Sequence, residues 1–564
     1  MLRIRKFARA VCRVQLILLL PFTILGVVET VRPAWATDPN GSATGVAGDA
    51  MDSQGNTFVP PPPPADTHDP TYTQKKRAYD TYNYQSKAEP LTVLLAASVG
   101  QDRVAINIVW TLITGYLVMF MQAGFALVET GFCRSKNAAH VMMTNFMIYP
   151  IGMLGFWIAG FAFMFGGMGA VGAPGTLGGV APCNQPDWYG IIGLHGFFLK
   201  GDFYDVGVCA FFLFQMVFMD TTAIIPTGAM AERWKFSAFV VYGFFVSIII
   251  YPIYGHWVWG GGWLALLGAT HHLGHGAVDF AGSGVVHSIG GWTAFAGAMV
   301  LGPRIGKYIN GKPQPIPGHN IPMALLGTFI LAFGWFGFNP GSTLGAAGGM
   351  NLRISVIAVN TMLASASGAV ITMLYWWLRY GKPDPSMCAN GMLAGLVAIT
   401  APCAFVNITS SVIIGGIAGI VVSLAVPIIE KIGVDDPVGA VAVHGVCGIW
   451  GLLAVGLFAD GTFGAGWNTV GAISYMGVPG RGVTGLFYGD ASQLAAQAID
   501  AVVSVVWAFS TAWIFFTVQK KVMGIRSAPA HEVHGLDLPE MGALGYTDPS
   551  IDEEPDEIPM PARA

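Results

Sequence analysis

Two segments of the sequence carry an aspartate and a histidine at the same spacing within apolar surroundings. The first runs from Asp279 to His287 and the second from Asp436 to His444, and a glycine-rich apolar stretch follows each histidine. An aspartate at this position can cap a helix N-terminus by accepting its free backbone N–H groups. A neutral imidazole both donates and accepts a proton near neutral pH. The segments therefore predict two capped helices that each carry a proton-exchanging base.

The overall composition indicates that these helices belong to a membrane protein. Of the 564 residues, 53% are hydrophobic and 11% are charged, and the mean hydropathy is +0.57. Soluble domains carry about 25% charged residues, so an ordinary soluble enzyme and a disordered protein are both excluded. The 28 Lys and Arg and the 32 Asp and Glu leave a formal charge of −4, which gives no reason to expect a nucleic-acid partner.

Apolar stretches that can cross a bilayer recur from about residue 95 to residue 520. A transmembrane helix needs about 20 apolar residues, and eleven stretches meet or approach that length. The predicted fold class is an all-α integral membrane protein with eleven transmembrane helices. The predicted spans lie near residues 105–128, 141–165, 206–230, 238–256, 280–302, 321–340, 352–378, 388–403, 411–430, 440–458 and 497–518.

The short loops between the spans give the orientation. Lys and Arg concentrate in every second loop and after the last span. Cationic loops stay in the cytoplasm, so we expect the mature N-terminus outside and the C-terminus inside. Asp279 then begins the fifth span from the outer side and Asp436 begins the tenth from the inner side, so the two segments run in opposite directions. The cationic residues are Arg134, Lys136, Arg233, Lys235, Arg304, Lys307, Lys312, Arg379, Lys382, Lys431, Lys520, Lys521 and Arg526.

The eight-residue spacing predicts the depth of the two histidines. At about 1.5 Å per residue, each histidine lies roughly 12 Å along its helix, and half of the hydrocarbon core is about 15 Å. His287 and His444 should therefore meet near the bilayer centre, where inverted-repeat transporters bind their substrates. The alternative is that each is a hydrogen-bonded core residue. A functional role is favoured for the pair because ionisable groups in membranes are rare and usually functional.

The N-terminal segment reads as a targeting sequence. Residues 1–36 are predicted to form a secretory signal peptide. Five Arg and Lys lie in residues 2–13, and the apolar run Val14–Val28 and the small-residue site Ala34-Trp35-Ala36 follow them. The alternative is a first transmembrane anchor, for which the apolar run is short. Residues 37–95, with the prolines at Pro60–Pro64, are predicted to form a disordered or extended extracytoplasmic tail.

Several motifs in a fixed order carry a family resemblance over roughly residues 100–545. The chain resembles ammonium transporters of the Amt/MEP/Rh family and is closer to the Amt branch. The resemblance implies the eleven-helix fold with a five-plus-five inverted repeat and an additional C-terminal helix, over residues 96–520. The matching motifs are Asp279-Phe280-Ala281-Gly282 with His287, His444-Gly445-Val446-Cys447-Gly448-Ile449, Gly334-Trp335-Phe336-Gly337-Phe338-Asn339 with Ser342, Ala231-Glu232-Arg233, and His256-Trp257-Val258-Trp259-Gly260-Gly261-Gly262.

The resemblance also implies roles for individual residues. Phe214, Trp259 and Ser342 match an outer cage of aromatic rings and a hydroxyl that collects ammonium. Ring faces attract a cation by about 0.5–2 kcal/mol each, although packing or interfacial anchoring is the commoner role of membrane aromatics. Below the cage, Phe218 and Phe338 match a phenyl gate. Trp335, His287 and His444 match residues that line the pore, and the two histidines match its proton-relay pair. Asp279 and Asp436 are assigned structural or electrostatic roles.

The function implied by the resemblance is ammonium uptake across the bacterial inner membrane. Ammonium would be deprotonated near the cage, ammonia would diffuse past the histidine pair, and the proton would take a coupled route. The family forms homotrimers, and a PII-type signalling protein can dock on the cytoplasmic side. Two alternatives are a sensor with little or no transport, and an electroneutral ammonia or carbon dioxide channel. The motifs of an enzyme are absent from the sequence, and we expect neither a cofactor nor a metal.

Other features have more than one interpretation. Glu129 and Asp220 are acids in or beside predicted spans, and two interpretations apply to each. One is a proton or cation site, because intramembrane acids are rare and usually functional. The other, which we favour, is a buried acid that is hydrogen-bonded at a helix interface. The cluster His271, His272 and His275 resembles an outer-loop insertion and only weakly suggests a metal site. Cys183 and Cys403 are the thiols expected on the oxidising side of the membrane, and the sequence does not decide whether Cys183 forms a disulfide bond. Residues 521–564 resemble a regulatory tail, but Met541-Gly542-Ala543 replaces the usual His-Gly-Glu.

Overall fold

The computed structural model describes residues 71–167, 190–347, 351–471 and 480–546, and a few residues before 71. Within these ranges, eleven helices correspond one to one to the predicted spans. Ten are long and apolar enough to cross a membrane, and the eighth is shorter. They are α1 (Pro90–Phe132), α2 (Ser135–Phe165), α3 (Val206–Ala229), α4 (Phe236–Val258), α5 (Ser283–Leu301), α6 (Ile321–Thr343), α7 (Ile354–Tyr380), α8 (Pro385–Thr400), α9 (Ile408–Lys431), α10 (Val441–Phe458) and α11 (Ala491–Met523).

The predicted N-terminal tail is wrong over its last part. Residues Tyr72–Ala88 form a helix with no buried residue, and α1 begins at Pro90, well before the predicted start of the first span. Polarity led to the expectation of a tail, but the segment has no Gly or Pro and contains residues that a solvated helix tolerates. The predicted signal peptide lies outside the described residues. The short elements outside the spans include a two-stranded hairpin, Tyr308–Ile309 with Lys312–Pro313, and the C-terminal helix Pro529–His534.

The helix contacts of the first half recur in the second half. The helix α1 packs against α3 as α6 packs against α8, and α2 contacts α3 and α4 as α7 contacts α8 and α9. The pair α3 and α5 corresponds in the same way to α8 and α10. Contacts of α1 with α6 and of α5 with α10 join the halves, and α11 packs on α5 and α10. The fold is therefore a five-plus-five inverted repeat with one additional helix.

Glycines let α5 and α10 cross with their backbones in contact. A Cβ atom on Gly291 would lie 2.1 Å from the backbone N of Gly445, and one on Gly448 would lie 2.5 Å from the carbonyl of Ser283. Small residues at a helix crossing allow this approach inside a membrane. The two histidine-bearing helices are thereby held against each other without intervening side chains.

Both histidine-bearing helices begin with a π-helical turn, at Ser283–Ser288 in α5 and at Val441–Val446 in α10. The expectation of a continuous α-helix starting at each aspartate is therefore wrong. The π-helical turn starts four residues after Asp279, following Gly282 with φ of 110°, and regular α-helix starts only at Ile289. The estimate of 12 Å along an α-helix consequently does not apply, because the intervening backbone is not helical and the first turn is wider than an α-turn.

Candidate substrate pathway

The carboxylate of Asp279 caps α5 completely. Its Oδ1 accepts the N–H groups of Gly282 (2.8 Å) and Ser283 (2.9 Å), and its Oδ2 accepts those of Gly284 (2.8 Å) and Val285 (2.9 Å). Asp279 is buried. Four N–H groups engage both oxygens, so this carboxylate orders the start of the helix.

Asp436 has the same position at the start of α10. Its Oδ1 accepts the N–H groups of Val438 (3.3 Å) and Gly439 (3.0 Å), and its Oδ2 accepts that of Val441 (2.7 Å). The structure thus places both aspartates as helix caps, with fewer bonds in the second repeat.

The two histidines meet. The Nδ1 atoms of His287 and His444 are 3.1 Å apart, and the rings lie 5.2 Å apart with an interplanar angle of 27°. Both residues are buried. A hydrogen bond between two Nδ1 atoms requires one ring to carry a proton there and the other to have none. The pair therefore shares one proton at this contact and is chemically asymmetric.

Aromatic rings continue outward from this pair. The His287 ring lies 5.3 Å from Trp335 and 5.4 Å from Phe338. Phe338 stacks on Phe218 with a ring separation of 4.1 Å, and Phe218 lies 4.6 Å from Phe214. These residues are buried. They form a continuous series, which we call the ring row: Phe214, Phe218, Phe338, His287 and His444.

The remaining cage candidates border the Phe214 end of the ring row. The Trp259 ring lies 6.1 Å from Phe218, and its indole N–H donates to the Asp279 carbonyl (2.6 Å). The Ser342 hydroxyl donates to the carbonyl of Phe338 (2.7 Å). Both Trp259 and Ser342 are partly exposed. The structure therefore brings the predicted cage, gate and histidine residues into one connected cluster.

Sequence reasoning missed two residues of this cluster. Phe125 of α1 lies 6.0 Å from the His444 ring and extends the row toward the opposite end. Thr400 accepts the indole N–H of Trp335 at 2.9 Å and fixes that ring. Neither had a signal in the sequence, because a phenylalanine and a threonine in apolar helices are ordinary packing residues.

Comparison with known proteins agrees with this geometry. The family model of the Ammonium Transporter Family matches residues 109–546. The chain belongs to this family.

Relatives within the family cover most of the chain. Ammonium transporter Amt2 of Archaeoglobus fulgidus is 49% identical over 470 residues, which cover 81% of this chain and 94% of the relative. A solved structure described as a sensor Amt protein is 38% identical with a TM-score of 0.66, covering 78% of this chain and 99% of that one. The structure of Candida albicans Mep2 is 28% identical with a TM-score of 0.63, covering 81% and 93% respectively. The family resemblance read from the motifs is thus confirmed.

The two additional acids of this family member differ from each other. Glu129 accepts hydrogen bonds from Asn145 (2.7 Å) and Thr227 (2.8 Å), so it is a hydrogen-bonded acid at a helix interface, as favoured from the sequence. Asp220 is fully buried against Gly152, and neither carboxylate oxygen has a hydrogen-bond partner in the described parts of the chain. The favoured interpretation therefore holds for Glu129 and is wrong for Asp220.

The outer-loop histidines point to different partners. The Nδ1 of His271 lies 2.7 Å from the Thr270 hydroxyl, and the Nε2 of His275 lies 3.2 Å from the Arg481 carbonyl. Burial, the larger influence, lowers the pKa of His275. Among the residues that the structure describes, no group of three acids, cysteines or histidines is placed to hold a metal. Cys183 lies outside those residues, and Cys403 is a buried free thiol.

Ion pairs join the loops at the end of the fold opposite the cage. The Arg304 side chain donates to Asp435 (2.9 Å) and to Glu232 (3.1 Å), and Glu232 also pairs with Arg134. Arg233 donates to the backbone carbonyl of Asp435 (2.7 Å). Burial alone would raise the pKa of the Asp435 carboxyl, but Arg233 and Arg304 outweigh it and hold that pKa well below its ordinary value. Because Asp435 precedes the α10 cap, the network anchors the start of α10.

The C-terminal tail lies across the same face. The Asp537 carboxylate accepts the N–H groups of Ala139 (3.0 Å) and His140 (2.8 Å) near the start of α2. Farther along, the Tyr546 hydroxyl lies 2.8 Å from the Nε2 of His319. The buried Glu532 pairs with Arg526 and accepts the backbone N–H of Ile305 (2.6 Å). The tail therefore contacts the beginning of α2 and the loop that precedes α6.

Proposed function

We propose that the protein takes up ammonium: the cage recruits the ion, the ion loses a proton there, and neutral ammonia passes along the ring row. The supporting observation is that the row is continuous from Phe214 to His444 and is buried. Transfer of a bare ion into such apolar surroundings costs many kcal/mol, whereas a neutral molecule avoids that cost. Deprotonation before entry is therefore the step that makes passage possible.

Recruitment of the ion is assigned to Phe214, Trp259 and Ser342. The ring faces of Phe214 and Trp259 attract a cation by about 0.5–2 kcal/mol each. The partly exposed Ser342 hydroxyl donates to Phe338, so its oxygen lone pairs accept an N–H of the ion. Phe218 and Phe338, stacked at 4.1 Å, form the gate that excludes hydrated ions.

Transfer of the released proton is assigned to the histidine pair. One proton lies between two Nδ1 atoms that are 3.1 Å apart. A released proton that binds the free Nε2 of one imidazole drives the shared proton to the other imidazole, which then gives up its own Nε2 proton. Trp335 keeps the His287 ring in place through its contact at 5.3 Å. Asp279 and Asp436 order the two turns that carry the imidazoles.

We further propose the location and partners of the protein. The cationic loops favour the cytoplasmic membrane with the mature N-terminus outside. The family resemblance favours a homotrimer with one pathway per subunit. The face formed by the ion pairs and the tail is the docking surface for a PII-type protein. Native mass spectrometry and copurification with the PII-type protein test these partners.

Charge translocation in proteoliposomes after an ammonium pulse tests the transport proposal. We expect a transient inward current for the unmodified protein, at least a tenfold loss with His287→Ala, and leakage of hydrated cations with Phe218→Ala. Phe333→Ala is the matched control, because Phe333 lies on α6 but is exposed and outside the ring row. Ammonia-driven internal alkalinisation without current would instead indicate an electroneutral channel.

A sensor is the second candidate because the solved sensor Amt protein is 38% identical over most of this chain. The tail supports this candidate, since it connects the beginning of α2 with the loop before α6 and would register a rearrangement of the helices. Ammonium binding without current or alkalinisation would favour the sensor over the transporter.

A further inference from the structure

A buried hydroxyl connects the turn of His287 to α11. Ser288 follows His287 in the π-helical turn, and its Oγ lies 2.8 Å from the Oγ of Ser504. Both serines are buried, and both α4 and α11 pack against this turn. The turn is therefore bonded to a helix that contributes no residue to the ring row.

Two further groups extend this connection to an acid. The Ser504 hydroxyl donates to the Ala501 carbonyl of α11 at 2.8 Å, so the hydroxyl that donates between the two serines is that of Ser288. One turn earlier on α11, Asp500 accepts at its Oδ1 from the Tyr254 hydroxyl of α4 at 2.5 Å, which ties the same part of α11 to α4. Tyr254 and Asp500 are completely buried. We call Ser288, Ser504, Tyr254 and Asp500 the hydroxyl chain; it joins α5, α11 and α4.

Asp500 is an acid within a membrane-spanning helix that the proposed pathway does not use. Its Oδ1 accepts from Tyr254, and its Oδ2 has no partner in the part of the chain that the structure describes. Burying a carboxyl group in this way is costly, and an apolar residue of similar size would avoid the cost. An intramembrane acid indicates a functional role. The side chain that Asp500 contacts is Tyr254, its neighbour in the hydroxyl chain.

The contact between His287 and His444 requires that the turn carrying His287 be held in a fixed position. A hydrogen bond between Nδ1 atoms at 3.1 Å weakens steeply with small changes in distance or angle. The π-helical turn has wider i→i+5 bonding than an α-helix, and the backbone N–H groups of Val286 and His287 both bond to the Gly282 carbonyl at 3.0 Å. Asp279 orders the first residues of the turn, whereas Ser288 is its last residue. His287 thus lies between a beginning ordered by Asp279 and the residue Ser288, whose side chain ties the end of the turn to α11.

We propose that Asp500 is a positioning residue of the pathway: with Tyr254 it fixes the part of α11 that carries Ser504, and through Ser504 and Ser288 it holds the turn of His287 at the distance at which His287 meets His444. This inference rests on the proposed function for its effect on transport. Its structural part, the geometry of the two imidazoles, is independent of transport and is measured separately.

The first test removes single hydroxyl groups from the full-length protein. Tyr254→Phe and Ser288→Ala should shift the imidazole ¹⁵N resonances of His287 and His444 away from those of a hydrogen-bonded pair. They should also lower the maximal ammonium-driven current about tenfold and leave the half-saturating ammonium concentration unchanged, because the cage is intact. The matched controls are Tyr242→Phe and Ser423→Ala, whose buried hydroxyl groups donate to the backbone carbonyls of Ala223 and Gly419, outside this chain.

The second test distinguishes two roles of Asp500: accepting the hydrogen bond from Tyr254, and filling space between the helices. Asp500→Asn keeps an oxygen that accepts from Tyr254, so it should retain at least half of the current, whereas Asp500→Leu should match Tyr254→Phe. Combining Tyr254→Phe with Ser288→Ala should lower the current no further than either change alone, since both break one chain.

Unchanged imidazole resonances and an unchanged current in Tyr254→Phe would overturn the inference, as would a changed half-saturating concentration at full maximal current. If Asp500→Leu does not fold, the comparison of Tyr254→Phe and Ser288→Ala with their control variants still tests the inference. An unmodified protein that translocates no charge would contradict the proposed function, whereas the resonance shifts would still test the positioning role.

Discussion

The two aspartate–histidine segments share one backbone design and have different surroundings. In the first, Asp279 accepts four backbone N–H groups and its own carbonyl accepts the indole N–H of Trp259. In the second, Asp436 accepts three N–H groups, and the preceding Asp435 joins a network of arginines. The same capped turn thus delivers a histidine from either end, while the neighbours tie one segment to an aromatic cage and the other to charged loops.

This difference shows how an inverted repeat becomes directional. The repeat supplies the crossing of α5 and α10 and the meeting of the histidines, which need near-symmetric backbones. The side chains around each cap are free to diverge because they lie at opposite ends of the helices. Changes at corresponding positions of the two segments therefore test which properties belong to the shared design.

The crossing glycines should give the largest difference between the segments. A Cβ on Gly291 would lie 2.1 Å from the Gly445 backbone, whereas one on Gly445 would meet its nearest atom at 3.3 Å. We expect Gly291→Ala to cost more than about 4 kcal/mol and to yield little folded protein, and Gly445→Ala to cost about 1–2 kcal/mol. Thermal unfolding and size-exclusion chromatography in detergent measure both, and equal losses would contradict the backbone contact.

A change in the charged surroundings of the second cap, Asp436, should have the second-largest effect. Asp435→Asn leaves Arg304 buried with Glu232 as its remaining acidic partner, which we expect to cost about 3 kcal/mol of unfolding free energy. Because the pKa of Asp435 is depressed, its stabilisation is fully present above the ordinary value of 3.8 and is lost only as the pH falls through the lower folded-state value. The difference between variant and parent should therefore be the same at pH 7 and pH 5. A difference that shrinks between these values would contradict the ion pair.

The two caps should affect transport unequally. Asp279→Ala removes four bonds from the turn of His287 and loosens the loop that holds Trp259, so we expect a current loss of about 100-fold. Asp436→Ala removes three bonds and leaves the cage intact, so about tenfold is expected; these losses correspond to about 2.7 and 1.4 kcal/mol. Proteoliposome currents, normalised to folded protein, provide the measurement. A larger loss for Asp436→Ala would reverse the assignment of the cage to the first segment.

The tail contact should give the smallest effect. Asp537 caps α2 from the C-terminal tail, so Asp537→Ala should cost about 1 kcal/mol and speed amide exchange at Ala139 and His140. Asn407→Ala, which removes a cap at the start of α9, provides a comparison far from the tail. Unchanged exchange at both α2 amides would show that the tail does not cap this helix.

Much of this architecture was predictable from the sequence because apolar length and cationic loops are strong signals. The eleven spans, the opposed directions of the two segments and the pairing of His287 with His444 follow from composition, spacing and charge. The identity of the cage residues came from the family resemblance, since Phe214 and Trp259 alone have the character of packing residues.

The remaining features depend on contacts between residues distant in sequence. The π-helical turns that follow Asp279 and Asp436 have no residue pattern that predicts them, and π-helical turns also occur at Phe156–Gly160 and Val246–Ile250 without a capping aspartate. Glu129 and Asp220 are both acids in apolar helices, yet one has two hydrogen-bond donors from other helices and the other has none among the described residues. The hydroxyl chain likewise joins three helices through residues that are individually unremarkable.

The contact between the two Nδ1 atoms has a consequence for kinetics under the proposed function. Two neutral imidazoles joined in this way differ in tautomer, with one proton on Nδ1 of the first ring and one on Nε2 of the second. When a proton enters at the Nε2 of the first ring, the shared proton crosses and the second ring releases its Nε2 proton, so each relayed proton leaves the two tautomers exchanged. Each turnover must restore the original tautomers before the next ion is processed. The flux should therefore saturate with increasing ammonium and have a turnover limit set by that reset, as in a carrier, whereas flux through an open pore would keep rising in proportion to concentration.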